Sequence, residues 1–315
     1  MNMSYKYIFG PVLSRRLGLS LGVDVIPQKT CNLNCVYCES GRTSLPSSQR
    51  ASFIPVRDII EELQDFLKTN PKIDHITFSG AGEPTLYRDM PAIISFIKVN
   101  YPQYKLALIT NSILLAQPEI RQELLEFDVI LPSLDAATPA VFHKINRPVV
   151  KIEYQDVING LISFRKIFKG KIWLEVFIIE GINDTAAELA LLKEQLSLIA
   201  PDIVQLNTLD RPGTESWVKP ASWKKLEEIK AYFAPLNVEI VARNKTAKHF
   251  EAAIQNIDEQ IINTIKRRPC TGQELAAILG LETDMLEKHI QLLISSQTIE
   301  PDNQSGSVFY KIRQI

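Results

Sequence analysis

The sequence predicts an α/β protein: a partial (β/α)6 barrel of the TIM type over residues 1–246, followed by a small winged helix-turn-helix over residues 247–315. Three observations carry this. From about residue 19 to 242, apolar runs of strand length alternate with segments of helical period. Several runs are nearly continuous Val, Ile and Leu, as parallel strands covered on both faces require. After Arg243-Asn244-Lys245-Thr246 the alternation stops, and three helix patterns and a hairpin pattern follow. Repeated strand–helix units build a parallel sheet, and six of them make an open barrel that binds its ligand at the C-terminal strand ends.

The strands are expected at Leu19–Ile26, Ile73–Ser79, Lys105–Thr110, Asp128–Ser133, Ile172–Ile179, Ile203–Thr208 and Val238–Ala242. Between them, helical patterns run over Val56–Lys68, Pro91–Lys98, Gln155–Phe168, Thr185–Ile199 and Ser222–Phe233. Pro91, Pro118 and Pro139 stand near helix starts, where a missing N–H costs nothing, and Asp184 reads as a helix cap. In the C-terminal part, Ile254–Lys266, Thr271–Gly280 and Thr283–Ser295 are the helices. Thr298-Ile299-Glu300 and Val308–Ile312 flank a turn-rich Pro301–Ser307, as in a β-hairpin.

Composition narrows the function classes. The net charge of −1 implies no bulk attraction to nucleic acid or anionic membrane. The start, Met1-Asn2-Met3-Ser4-Tyr5-Lys6-Tyr7, has no apolar signal region, and charged residues interrupt every long apolar stretch. A cytoplasmic protein with no membrane span is expected. Residues 250–315 carry six basic against nine acidic residues, with Glu282, Asp284 and Glu287 in or beside the expected recognition helix. DNA and RNA readers set a basic helix against phosphates, so docking of a peptide, a partner protein or the chain's own barrel suits this part better.

Three of the four cysteines lie in Cys31-Asn32-Leu33-Asn34-Cys35-Val36-Tyr37-Cys38. Thiolates this close are soft ligands for iron or zinc. A closed zinc site needs four ligands, and no Cys or His follows at finger spacing. A [4Fe–4S] cluster usually takes four Cys, so three leave one iron with an open position. A zinc knuckle or a loop disulfide is the other reading of the cysteines. Cys270, far along the chain, reads as a lone, partly buried thiol.

The Cys-x3-Cys-x2-Cys spacing, with an aromatic before the last Cys, resembles the cluster motif of the radical S-adenosylmethionine (radical SAM) superfamily. Ser79-Gly80-Ala81-Gly82-Glu83-Pro84 resembles that superfamily's Gly-Gly-Glu-Pro motif, with Ala81 in place of the first Gly. The resemblance implies that Cys31, Cys35 and Cys38 hold a [4Fe–4S] cluster, with S-adenosyl-L-methionine on the open iron. It also implies that Gly80, Gly82 and Glu83 receive the methionine moiety. An electron from a donor such as flavodoxin or ferredoxin would cleave the sulfonium to give a 5′-deoxyadenosyl radical. Asn111, in Ile109-Thr110-Asn111-Ser112, offers a polar group at a strand end, as does Asp135, in Ser133-Leu134-Asp135-Ala136. Arg147 offers a fork for a carboxylate. Glu175, Gln205, Asn207 and Arg211 lie where a substrate would meet the radical, and Ile179 and Leu206 are candidates for the adenine. Arg15 and Arg16 can bring cations to the barrel mouth.

Gly10-Pro11, Ser14–Gly18, Ser133–Ala136, Asn146-Arg147-Pro148 and Asp210-Arg211-Pro212 together resemble the wyosine-synthase-like group of the superfamily. Its namesakes modify a tRNA base and carry a second cluster, whose cysteines are lacking here. Modification of a peptide, protein or other macromolecule is therefore the leading expectation. The alternatives are tRNA base modification, an iron–sulfur redox sensor acting as a transcription regulator, and a zinc-bound scaffold.

Overall fold

A computed structural model of the chain describes residues 5–211, 213–241, 257–279, 281–304 and 307–313. The sheet opens with a hairpin, β1 (Ile8–Ser14) antiparallel to β2 (Gly18–Val23). Two short strands, β3 (Thr30–Cys31) and β4 (Leu45–Pro46), pair separately from it. Then follow α1 (Val56–Leu67), β5 (His75–Phe78), α2 (Met90–Asn100), β6 (Lys105–Thr110), α3 (Pro118–Glu123), β7 (Val129–Pro132), α4 (Pro139–Ile145) and α5 (Tyr154–Ile167). The series continues with β8 (Lys171–Phe177), α6 (Ala186–Ile199), β9 (Ile203–Asn207), α7 (Trp223–Tyr232) and β10 (Val238–Ile240). Strand order is β1-β2-β5-β6-β7-β8-β9-β10, and every pairing after β1–β2 is parallel. The sheet is therefore mixed only at the β1 edge.

All seven expected strands lie in this sheet, each within a few residues of its expected bounds. The alternation of side chains across each strand divides them between two faces. Leu106, Leu108, Ile130, Ile172, Leu174, Val176, Val204 and Leu206 join the main core with helix residues such as Ile59, Leu63, Ile93, Leu161 and Leu192. On the opposite face Leu17, Ala107, Val129 and Leu131 form a smaller cluster with Ile109 and Trp173. Leu17 comes from the β1–β2 turn, so this turn packs onto that face of the sheet. The stretch from Phe9 to Gly18 is mostly an edge strand and its turn.

Helix starts follow their capping residues. Pro91, Pro118 and Pro139 each fall in the first turn of α2, α3 and α4. The α6 cap differs from expectation: Thr185, not Asp184, accepts the Glu188 N–H. The Asp184 carboxylate instead accepts the Gly181 N–H at 2.8 Å. A hydroxyl one residue later reaches the free N–H, and the carboxylate closes the preceding turn.

The C-terminal part has α8 (Ile257–Arg267), β11 (Cys270–Thr271), α9 (Gly272–Leu279), α10 (Thr283–Ser295), β12 (Ile299–Gln304) and β13 (Ser307–Ile312). Its three strands are antiparallel in the order β11-β13-β12. The expected first helix includes residues 254–256, which lie outside the described residues. Ile261, Ile265, Cys270, Leu275, Leu286, Ile290 and Phe309 are buried in this part, and most belong to a separate apolar cluster. Cys270 is fully buried there rather than partly. Bonds from loops after the strands reach this part: Arg211 Nη2 donates to Glu274 Oε1 at 2.5 Å, and Gln28 Nε2 donates to the Lys266 carbonyl at 3.1 Å.

Candidate functional site

Pairing of β3 with β4 closes residues 32–44 into a loop, and this loop holds the three cysteines. Within it, Cys38 N–H donates to the Cys35 carbonyl at 3.2 Å and Gly41 N–H to the Cys38 carbonyl at 3.0 Å. Two distant segments clamp it. Asn34 and Val36 donate their N–H groups to the Asn146 and Ile145 carbonyls at 3.0 and 2.9 Å. Thr214 Oγ1 donates to the carbonyls of Cys35 and Cys38 at 3.1 and 3.2 Å.

The turn after β5 is strapped to the same loop. Lys29 N–H donates to the Ala81 carbonyl at 2.7 Å, and Glu83 N–H to the Thr30 carbonyl at 3.0 Å. A Cβ on Gly82 would lie 2.2 Å from the Thr30 carbonyl oxygen, and one on Gly80 would lie 2.1 Å from Asp24 Oδ1. Gly82 lets this turn approach the strand that leads into the loop, and Gly80 leaves room for the Asp24 side chain. Glu83 is buried, and its carboxylate accepts from Thr85 N, Thr85 Oγ1, Thr110 Oγ1 and Asn111 N at 2.6–3.1 Å. Burial pushes its pKa up while these bonds oppose the shift.

The thiols are held far from ionisation. Burial pushes Cys31 up to about 12, with the nearby Glu83 adding to it. Cys35 is raised well above the ordinary thiol range by burial, by Cys31 and Cys38, and by Asp135. Burial also raises Cys38, against the pull of Lys29. Buried thiolates that repel one another need cationic metal, and that is the chemistry a cluster supplies. Among the described residues no three His, Cys, Asp or Glu side chains are grouped to hold a metal ion. A four-iron cluster does not require such a group, because each cysteine binds a different iron. Three thiols from one loop are a donor set that fits a cluster.

The remaining expected site residues fall into two groups. Asn111 donates its amide to Asn32 Oδ1 at 2.6 Å and to Cys31 Sγ at 3.6 Å. Asp135 is buried, and it accepts from Tyr37 Oη at 2.5 Å, Asn146 Nδ2 at 2.7 Å and Phe177 N at 3.0 Å. Burial lifts its carboxyl to about 6 despite those bonds. Leu33, Tyr37, Asn111, Ser133, Asp135, Phe142, Asn146 and Tyr154 line one cavity beside the cysteine loop. Arg147 stands apart from this group: its guanidinium donates to Glu215 Oε1 at 2.7 Å, which Arg42 also approaches at 2.8 Å.

A second polar set lies on the sheet face that carries Leu17 and Trp173. Glu175 and Gln205 are register partners on β8 and β9. Arg16 Nη1 donates to Glu175 Oε2 at 2.5 Å, and Asn207 Nδ2 donates to the same oxygen at 3.2 Å. Arg15 donates to Asp210 at 2.9 Å. The partner that a Glu in an apolar strand needs is thus Arg16, from the β1–β2 turn. Ile179 and Leu206 are buried, Leu206 on the helix-covered face. Asn32, Tyr37 and Asn146 join the site without having been expected in it. Tyr37 stacks on Phe177 at 3.9 Å, and its only sequence signal was its place before Cys38.

An α/β chain with three clustered cysteines and a glycine turn strapped to their loop defines a class of cluster-bearing enzymes. Residues 25–192 match the family model described as the radical SAM superfamily, and the chain belongs to that superfamily. It is an enzyme of a superfamily that uses a [4Fe–4S] cluster and S-adenosylmethionine. It is 35% identical over 306 residues to a UPF0026 protein of Helicobacter pylori strain J99, covering 96% of each chain. It is also 37% identical over 308 residues, 98% of its length, to the GTPase Obg of Brachyspira hyodysenteriae, of which it spans only 45%. Among solved structures it resembles a radical SAM methyltransferase from Sphaerobacter thermophilus. That match has a TM-score of 0.54 and 14% identity, covering 70% of this chain and 65% of that one. Among the described residues no helix is long and apolar enough to cross a membrane.

Proposed function

We propose that Cys31, Cys35 and Cys38 hold the [4Fe–4S] cluster and that the Gly80–Glu83 turn holds the methionine end of S-adenosylmethionine. The observation that carries this is the strapping of the turn to the cysteine loop through Lys29–Ala81 and Glu83–Thr30. It holds the cysteines and a glycine-lined backbone side by side. The cluster, when bound, supplies the electron that cleaves S-adenosylmethionine to methionine and a 5′-deoxyadenosyl radical. This chain's residues supply position and exclusion of water. Asn111 and Asp135 line the cavity beside the loop. Arg147 serves in the pair with Glu215, which braces the segment bonded to Cys35 and Cys38, more readily than as a carboxylate fork.

The fold reads as a partial (β/α)6 barrel over residues 1–246 with a winged helix-turn-helix over 247–315. Three helices and a three-stranded antiparallel sheet with a core of their own support that division. The substrate reading is a peptide, protein or other macromolecule presented at the face where the C-terminal part meets the cysteine loop. A low-potential flavodoxin or ferredoxin serves as electron donor. The acidic balance of residues 250–315 favours this over tRNA base modification. Reconstituted enzyme would be incubated with S-adenosylmethionine and either the protein fraction or the tRNA fraction of a cell extract. Stimulation of 5′-deoxyadenosine release by the protein fraction supports the reading; stimulation by tRNA alone overturns it.

A further inference from the structure

We propose that Asn146 and Asn111 are positioning residues that set the reduction potential of the cluster, by donating their side-chain amides to the sulfurs of Cys35 and Cys31. The inference rests on the reading that these cysteines hold the cluster. Asn146 is buried, and its Nδ2 lies 2.7 Å from Asp135 Oδ2 and 3.5 Å from Cys35 Sγ. A primary amide has two N–H bonds, and this arrangement uses both. Asp135 is held in turn by Tyr37 Oη and Phe177 N, so the Asn146 amide cannot rotate away without breaking a buried network. The Asn146 carbonyl meanwhile accepts the Asn34 N–H, so one residue fixes both the loop and the donor.

Asn111 repeats the design on the other side. Its Nδ2 is pinned by Asn32 Oδ1 at 2.6 Å and lies 3.6 Å from Cys31 Sγ. Its Oδ1 accepts the Ile113 N–H at 3.2 Å, and its own backbone N–H is bound to Glu83. Cys31 Sγ also accepts the Leu33 backbone N–H at 3.5 Å. Two of the three sulfurs therefore carry a donor that substitution can remove without touching the backbone.

One electron enters from the low-potential donor; no bond to the protein forms or breaks, and no proton moves. The added negative charge spreads onto the sulfurs. N–H donors stabilise it more in the reduced than in the oxidised state, which raises the potential. Removing a donor lowers it.

The test is EPR-monitored potentiometric titration of reconstituted wild type, Asn146→Leu and Asn111→Leu. Leucine fills the volume and keeps water out, so the shift reports the lost N–H. The expected result is unchanged iron content and absorbance with about a tenfold fall in the reduced-to-oxidised ratio at fixed potential, about 59 mV for a one-electron couple. If Asn146→Leu fails to fold, Asn111→Leu, which keeps its backbone bond to Glu83, decides alone. Wild-type potentials with an intact cluster overturn the proposal. A Cys35→Ala protein that retains its full cluster overturns the underlying reading instead.

Discussion

Glu83 Oε2 accepts the backbone N–H of Asn111 at 2.7 Å, which ties the turn after β5 to the end of β6 around a buried carboxylate. Glu83→Ala leaves the donors on Thr85, Thr110 and Asn111 without their acceptor. Each such group costs roughly 1–3 kcal/mol when buried, so the variant should lose at least about 3 kcal/mol of stability even after partial relaxation. Urea denaturation of the apoprotein reads this directly, and a midpoint equal to wild type would contradict it.

Gly82→Ala addresses the strap itself. The new Cβ meets the Thr30 carbonyl oxygen and Ile26 Cγ2, at 2.2 and 2.6 Å. The carbonyl belongs to the residue before Cys31, so the cysteine loop has to move. Overpacking of this kind costs roughly 1–3 kcal/mol. S-adenosylmethionine affinity, measured calorimetrically on reconstituted protein, should fall at least about tenfold, equal to about 1.4 kcal/mol.

The Asp135 carboxyl gives a pH dependence. Burial lifts it from the ordinary 3.8 to about 6, against the bonds from Tyr37, Asn146 and Phe177. A carboxyl raised in the folded state binds its proton more tightly there. Its contribution is full below 3.8 and is lost as pH rises through about 6. Asp135→Asn removes this titration. The stability of the wild-type apoprotein relative to Asp135→Asn should therefore fall between about pH 4 and about pH 7. Denaturation curves for both proteins at the two pH values check the sign.

Arg211 joins the sheet to the C-terminal part. Its buried guanidinium donates to Glu39, next to Cys38, at 3.2 Å and to Glu274 at 2.5 Å. Arg211→Ala should cost about 2 kcal/mol, the scale of hydrogen bonds to charged groups. The loss should appear locally, as faster hydrogen exchange in α9 with α1 and α5 unchanged. Uniformly faster exchange would assign Arg211 to the global core instead.

What the sequence made legible follows from the range of the interactions involved. The seven parallel strands announce themselves through local Val, Ile and Leu runs, and the cysteine loop and glycine turn through local spacing. The β1 strand does not, because Gly10 and Pro11 interrupt its pattern and its order comes from pairing with β2. The two-residue β11 has no pattern of its own and exists through Tyr310 and Phe309 of β13. Glu175 is legible as a carboxylate inside an apolar strand, but its partner Arg16 lies 159 residues away. Asn146 likewise meets Cys35 across 111 residues, a contact that only the fold creates. Arg147 was legible as a cation, whereas its engagement by Glu215 was not.

The proposal that Cys31, Cys35 and Cys38 bind a cluster that cleaves S-adenosylmethionine has a direct test. The direct measurement is 5′-deoxyadenosine release after anaerobic reconstitution with iron and sulfide, then dithionite and S-adenosylmethionine, in wild type and Cys35→Ala. Wild type should show cluster absorbance and release 5′-deoxyadenosine, and Cys35→Ala should show neither. Cleavage retained in Cys35→Ala would contradict that assignment of the cysteines.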